Sequence, residues 1–134
     1  MRELARCYEM QAGNFTITVL PNVFSPKYFT DSLWFAQSVS TIVGTRRLLE
    51  VGSGTGIVSL YCADKGATVV ATDVNPQACH NTEINARRYG LSISVRYGDL
   101  FDVIEEKEEF DFIFWNHSFN NWDQPVTEVY CVQD

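Results

Sequence analysis

A chain of 134 residues has room for one domain around one core. Its 46% hydrophobic and 13% aromatic content exclude a disordered chain, and a formal net charge of −7 with ten Lys and Arg weighs against direct binding to a phosphate backbone. The four cysteines, Cys7, Cys62, Cys79 and Cys131, form no C-x-x-C pair, so a zinc or disulfide framework is not expected and Cys62 reads as a buried reduced thiol. The first residues lack a signal-peptide pattern, and no apolar run nears the roughly 20 residues that span a bilayer, so a cytoplasmic location without membrane contact is expected.

In chain order, Arg2–Gln11 reads as a short helix stopped by Ala12-Gly13-Asn14. Phe15–Leu20 alternates as a strand and Pro21-Asn22 turns. Over Thr30–Val43 the apolar residues Leu33, Trp34, Ala36, Val39 and Ile42 recur at helical spacing, with Thr30 or Asp31 as N-cap and Gly44 as the stop. Arg47–Val51 is a short apolar strand, Gly52–Gly56 a glycine-rich turn, and Ile57–Lys65 a helix closed by Gly66. Ala67–Thr72 is a continuous apolar strand that ends on Asp73. Asn75-Pro76 opens a helix running to about Tyr89, and Ser92–Tyr97 is a third strand. The acidic run Glu105–Glu109 reads as a solvated loop or helical turn before a fourth strand, Phe110–Trp115, and Val126–Val132 is a candidate for one more.

Strands alternating with helices predict an α/β fold: a Rossmann-like, doubly wound, mostly parallel sheet with helices on both faces, shortened at the C-terminus. The expected organisation is a single domain over residues 1–134, with a lead-in at 1–46, a Rossmann-like core at 47–119 and a short tail at 120–134. Arg46–Arg47 and Arg87–Arg88 are expected as solvated charges at element ends.

In such sheets ligands bind beyond the carboxyl ends of the strands, where the residues from Glu50 to Gly56, Asp73, Asp99 and Asn116 all fall. Gly52, Gly54 and Gly56 let the backbone turn tightly and approach a ligand, and the next helix opens with free N–H groups. Asp73, 21 positions beyond Gly52, is placed to accept hydrogen bonds from ribose hydroxyls. The dinucleotide fingerprint needs its third glycine where Ile57 stands, and Glu50 at the strand end suits an ammonium group better than a pyrophosphate. S-adenosyl-L-methionine is therefore expected over NAD.

The stretch Glu50-Val51-Gly52-Ser53-Gly54-Thr55-Gly56, with Gly98-Asp99-Leu100-Phe101, Phe110-Asp111-Phe112-Ile113 and the approach Val23–Asp31, resembles class I S-adenosylmethionine-dependent methyltransferases. It is similar, more narrowly, to the HemK/PrmC-like and "small domain" groups. The resemblance implies that Glu50 and the backbone of Gly52, Ser53, Gly54, Thr55 and Gly56 surround the methionine portion. It places Asp73 on the ribose, Val74 beside the adenine, Asp99 on the adenine amino group and Leu100 against the same ring.

Asn116-His117-Ser118-Phe119 stands where that family carries Asn-Pro-Pro-Tyr or Asn-Pro-Pro-Phe. The resemblance implies that Asn116 clamps a planar nitrogen and Phe119 stacks on it, while His117 is either a base or a loop cap. Both prolines are missing, and with them their fixed φ. Trp115 and Trp122 read as packing residues and His80 as a surface residue. Only 15 residues follow Phe119, so a homodimer or partner subunit covering an open sheet edge is expected.

The leading expectation is a methyltransferase acting on a nitrogen of a protein or small-molecule acceptor rather than a nucleic acid. The alternatives are a catalytically weak or inactive cofactor-binding subunit that supports a partner, a nucleic-acid amino methyltransferase, and an NAD-binding oxidoreductase.

Overall fold

The computed structural model describes residues 7–23, 31–116 and 127–131, with the backbone alone described at Asp31, at Asn116 and over 127–131. Strands β1 (Tyr8–Ala12) and β2 (Phe15–Val19) form an antiparallel hairpin in which Ala12 faces Phe15. The expected N-terminal helix is thus a strand over its described part. Tyr8, Met10 and Ala12 turn inward and Glu9 and Gln11 outward, the two-residue period of a half-buried strand. Gly13-Asn14 makes the hairpin turn rather than a helix stop. Gly13 has φ 64°, and a Cβ there would lie 1.9 Å from the Tyr61 hydroxyl, so both backbone conformation and space select glycine.

Helix α1 (Asp31–Val43) buries Ala36, Val39, Ser40 and Val43, an i, i+3, i+4, i+7 stripe. Of the predicted stripe, Ala36 and Val39 are buried and Leu33 packs against the core, whereas Trp34 and Ile42 are 62% and 48% exposed. Arg46 ends this helix by donating to the Ile42 and Val43 carbonyls and lies over the Phe112 ring. Arg47 donates to the Glu109 carbonyl and lies over Phe110. Both arginines therefore serve local packing, in keeping with their expected place at element ends.

The larger sheet takes β3 (Arg47–Val51), β4 (Thr68–Asp73), β5 (Ile93–Tyr97), β6 (Phe112–Asn116) and β7 (Thr127–Cys131) in the order β5-β4-β3-β6-β7. The first four are parallel, and β7 runs antiparallel to β6 at one edge. The crossovers contain α2 (Ile57–Asp64), α3 (Pro76–Arg88) and the one-turn α4 (Leu100–Val103). Leu48, Val69 and Phe112 are neighbours across the sheet and bury against α1, α2 and α3, together with Phe114 and the hairpin's Phe15, Ile17 and Val19. Each such side chain, fully buried, contributes about 1.5–3 kcal/mol.

Leu49 and Val70 face the other way and pack with Phe110, Leu100, Ile104 and Ile113. This second face is covered by α4 and the loop after it, a thinner layer than the three longer helices opposite. Among the described residues, no helix is long and apolar enough to cross a membrane.

Candidate functional site

Register sets the site. Val51 lies opposite both Thr72 and Trp115, and Asp73 lies opposite Tyr97, so β3, β4, β5 and β6 end at one level. From that level the chain leaves β3 through Gly52–Gly56, with the Gly52 and Ser53 N–H groups donating to the Thr72 carbonyl at 2.8 and 3.0 Å. Gly52, Gly54 and Gly56 all have positive φ (81°, 57° and 89°). Helix α2 starts directly after Gly56, which supplies no side-chain cap, so its first-turn N–H groups open toward the loop.

Asp73 is half-buried at the end of β4 and does more than the sequence suggested. One oxygen accepts from the Gly54 N–H at 3.1 Å and the other from the Asn75 N–H at 3.0 Å. The carboxylate thus ties the glycine loop to the adjacent strand end, while each oxygen retains a lone pair for a ligand hydroxyl. Asn75 in turn caps α3 by accepting from the Gln77 N–H.

Glu50 is 2% exposed and accepts a hydrogen bond from the Ser59 hydroxyl on α2. It lies beneath the loop, not on its surface. Burial, opposed by the Ser59 bond and reinforced by the charge of Asp73, pushes its carboxyl up to about 8. Near neutral pH it is mostly protonated, and a positive charge brought close to it would favour loss of that proton. Cys62 is pushed up to about 12 by burial and by Glu50, and Cys79 up to about 11 by burial and by Asp73. Both thiols stay protonated and unreactive.

The raised Glu50 value fixes a pH dependence. Between about 4.5 and 8 the folded chain holds a proton that the unfolded chain has released, so stability is greatest below that window and falls as pH rises through it. Glu50→Gln, which mimics the neutral acid, is expected to flatten that decline in urea-unfolding midpoints measured from pH 5 to 8.

Asp99 is exposed and caps α4, accepting from the Phe101 N–H at 3.0 Å. Leu100 is half-buried against the Leu49–Val70–Phe110 cluster. The turn is held by Arg96, which binds Glu108 through two nitrogens at 2.6 and 2.8 Å and donates to the Val103 carbonyl. That pairing lowers the Glu108 carboxyl to about 2. Val74 is 70% exposed next to Asp73.

The structure therefore brings Glu50, Gly52–Gly56, Asp73, Val74, Asp99 and Leu100 to one edge, together with the backbone of Asn116. His117, Phe119 and Trp122 lie outside the described residues. His80 is exposed and Cys62 buried, as expected.

Sequence reading missed two sets of residues. Tyr97, at the end of β5, and Phe101, in α4, are 62% and 91% exposed and add aromatic surface. Thr82 and Asn85, both fully buried on α3, support the loop from behind. Thr82 Oγ1 lies 3.0 Å from Ser53 Oγ and 3.2 Å from the Gly54 carbonyl, and Asn85 donates to the Thr55 carbonyl at 2.8 Å. Their signal was polar residues on the same helix face as Ala78, Cys79 and Ala86.

Residues 48–132 match the family described as methyltransferase domain. A provisionally assigned protein N5-glutamine methyltransferase of Methanocaldococcus jannaschii is 36% identical over 97 residues, covering 72% of this chain and 47% of that protein. A release factor glutamine methyltransferase of Koribacter versatilis is 32% identical over 71 residues, covering 52% of this chain and 25% of the relative. The chain thus spans between a quarter and about half of these relatives' length. Among solved structures, a Thermus thermophilus 16S rRNA N2 G1207 methyltransferase in complex with AdoMet and guanosine superimposes with a TM-score of 0.76 at 24% identity, over 91% of this chain and 35% of that one. The family match covers more than half of the chain, and the chain belongs to the methyltransferase-domain family.

Proposed function

We propose that the chain binds S-adenosylmethionine across the carboxyl edge of the sheet and supports transfer of its methyl group to a nitrogen of a protein acceptor, with a glutamine side-chain amide the first candidate. The observation that carries the cofactor half is the Asp73 carboxylate at the end of β4, tied to Gly54 and opposite Tyr97 at the end of β5. An acid there meets ribose hydroxyls, the open backbone of the loop meets the methionine portion, and Glu50 responds to its positive charge. Val74, Asp99 and Leu100 form the adenine end. The protein acceptor is supported by likeness to the two glutamine methyltransferases and by the net charge of −7, which disfavours a nucleic acid.

When bound, the cofactor supplies an activated methyl group on a sulfonium. The chain's own contribution is orientation. In this reading Asn116, at the end of β6, accepts from the acceptor's N–H and holds the nitrogen lone pair toward the methyl carbon, while Phe119 stacks on the planar group. Methylation held in this way would leave the acceptor nitrogen with one proton to lose. In the same reading His117 would take that proton or cap the loop.

Calorimetric titration with S-adenosylmethionine, S-adenosylhomocysteine and NAD tests the cofactor assignment. Heat with the first two and none with NAD is expected; silence with both sulfur ligands sinks the proposal. Asn116→Ala is expected to leave their affinity within twofold and to slow methylation of a glutamine-containing peptide about tenfold, the size of a modest positioning loss. Tight cofactor binding with no turnover on any acceptor would point instead to a cofactor-binding subunit that supports a partner.

A further inference from the structure

Helix α3 buries three polar residues, Asn81, Thr82 and Asn85, each fully excluded from solvent, where an apolar stripe would be the ordinary choice. The hairpin edge explains it. The Asn81 amide accepts from the Leu20 N–H at 2.8 Å and donates to the Thr18 carbonyl at 2.8 Å. The Asn85 amide accepts from the Thr18 N–H at 2.7 Å and donates to the same carbonyl at 2.9 Å. One turn further, the Tyr89 hydroxyl accepts from the Thr16 N–H and donates to the Thr16 carbonyl.

Residues 81, 85 and 89 thus pair with 20, 18 and 16. The match is geometric: four helical residues advance about 6.0 Å and two strand residues about 6.8 Å. The helix's side chains act as the missing neighbour strand of β2.

Asn85 makes one bond more than the others. Its second amide hydrogen donates to the Thr55 carbonyl in the glycine loop at 2.8 Å, so both its donors and its oxygen are engaged in a site closed to solvent. An apolar side chain at 85 would strand the Thr55 carbonyl and the Thr18 N–H together. Asn81 and Tyr89 reach the hairpin, and Thr82 reaches the loop. Among the hydrogen bonds of the described residues, Asn85 alone spans both.

We propose that Asn85 is a positioning residue that couples the order of the glycine loop to the docking of the N-terminal hairpin, so that ligand binding at the loop and hairpin closure favour each other. This rests on the loop being the S-adenosylmethionine site. Coupling of this kind is reciprocal.

The test is hydrogen exchange read by mass spectrometry, with calorimetry alongside. In the wild-type chain, saturating S-adenosylmethionine should slow exchange at least threefold in the hairpin segment 15–20 as well as in the loop. Binding without any hairpin protection would overturn the coupling. Asn81→Ala removes hairpin bonds only, so it should loosen the hairpin and, through the reciprocal coupling, raise the dissociation constant by a smaller factor, about threefold. Asn85→Asp keeps the acceptor for Thr18 but loses both donated bonds, and should loosen loop and hairpin together and raise the dissociation constant at least tenfold. Equal effects of the two variants on affinity would reduce Asn85 to a structural role and refute the proposal. If the wild-type chain binds no S-adenosylmethionine, the cofactor assignment fails by itself. Loop exchange in the ligand-free variants then decides the inference: faster in Asn85→Asp than in Asn81→Ala supports it, and equal rates overturn it.

Discussion

Asp73→Ala is expected to weaken S-adenosylmethionine binding by about two orders of magnitude, close to 3 kcal/mol, the upper end for loss of hydrogen bonds to a charged group. Two losses combine. The ribose hydroxyls lose their acceptor, and the Gly54 and Asn75 N–H groups lose theirs. Asp73→Asn separates the two, because an amide oxygen can still accept from one backbone N–H while its NH2 faces the other. An intermediate weakening, about tenfold, is expected for that variant by calorimetry. A wild-type dissociation constant in Asp73→Ala would place the ribose elsewhere. Unfolding midpoints run in parallel show whether the variant has lost the loop or merely the ligand contact.

How much of this was legible beforehand depended on how local each signal was. Arg47–Val51 is reproduced residue for residue because a five-residue apolar strand followed by glycines has few other readings. Pro76 at the first helical position and the glycine after Tyr89 likewise bounded α3 from local chemistry. Tyr8–Ala12 failed because Glu, Met, Gln and Ala are good helix formers, and only pairing with Phe15–Val19 makes that segment a strand. Glycine serves helix stops and hairpin turns equally, so Gly13 could not arbitrate. In α1 the period was right and the stripe partly so: Ala36 and Val39 are buried and Leu33 packs on the core, while Trp34 and Ile42 are exposed and Ser40 and Val43 complete the buried face.

In the candidate site, the acids at strand ends were visible because topology sends them to one edge. What each acid does there was not. Glu50 reads as a charged wall in the sequence and is a buried neutral group in the fold, because α2 closes over it with Ser59. Asn81, Thr82 and Asn85 drew no reading from the sequence, since their partners are 28 to 67 positions away. Pairings over such separations leave no periodic trace.

Gly56→Ala should lower stability by about 2–6 kcal/mol, the sum of backbone strain and overpacking, and abolish cofactor binding at accessible concentrations. At φ 89° an L-residue is strained by about 1–3 kcal/mol. The added Cβ would also lie 2.9 Å from Thr82 Cγ2 and 3.1 Å from Thr82 Cα. The methyl could rotate away, but the backbone atom cannot, because Thr82 is fixed in the middle of α3. Relief then requires α2 and α3 to separate, an overpacking cost of about 1–3 kcal/mol. Gly54→Ala is the matched control. It has positive φ (57°) but nothing within 4 Å of its Cβ, so strain of about 1–2 kcal/mol is all that stability should lose. Its methyl would project into open space at the ligand edge, so it should weaken S-adenosylmethionine more than it weakens the fold. Urea midpoints and calorimetry on both variants give two independent axes. Equal destabilisation by the two alanines would show that α3 does not brace the loop through Thr82, and that the close approach of these helices is not what shapes the site.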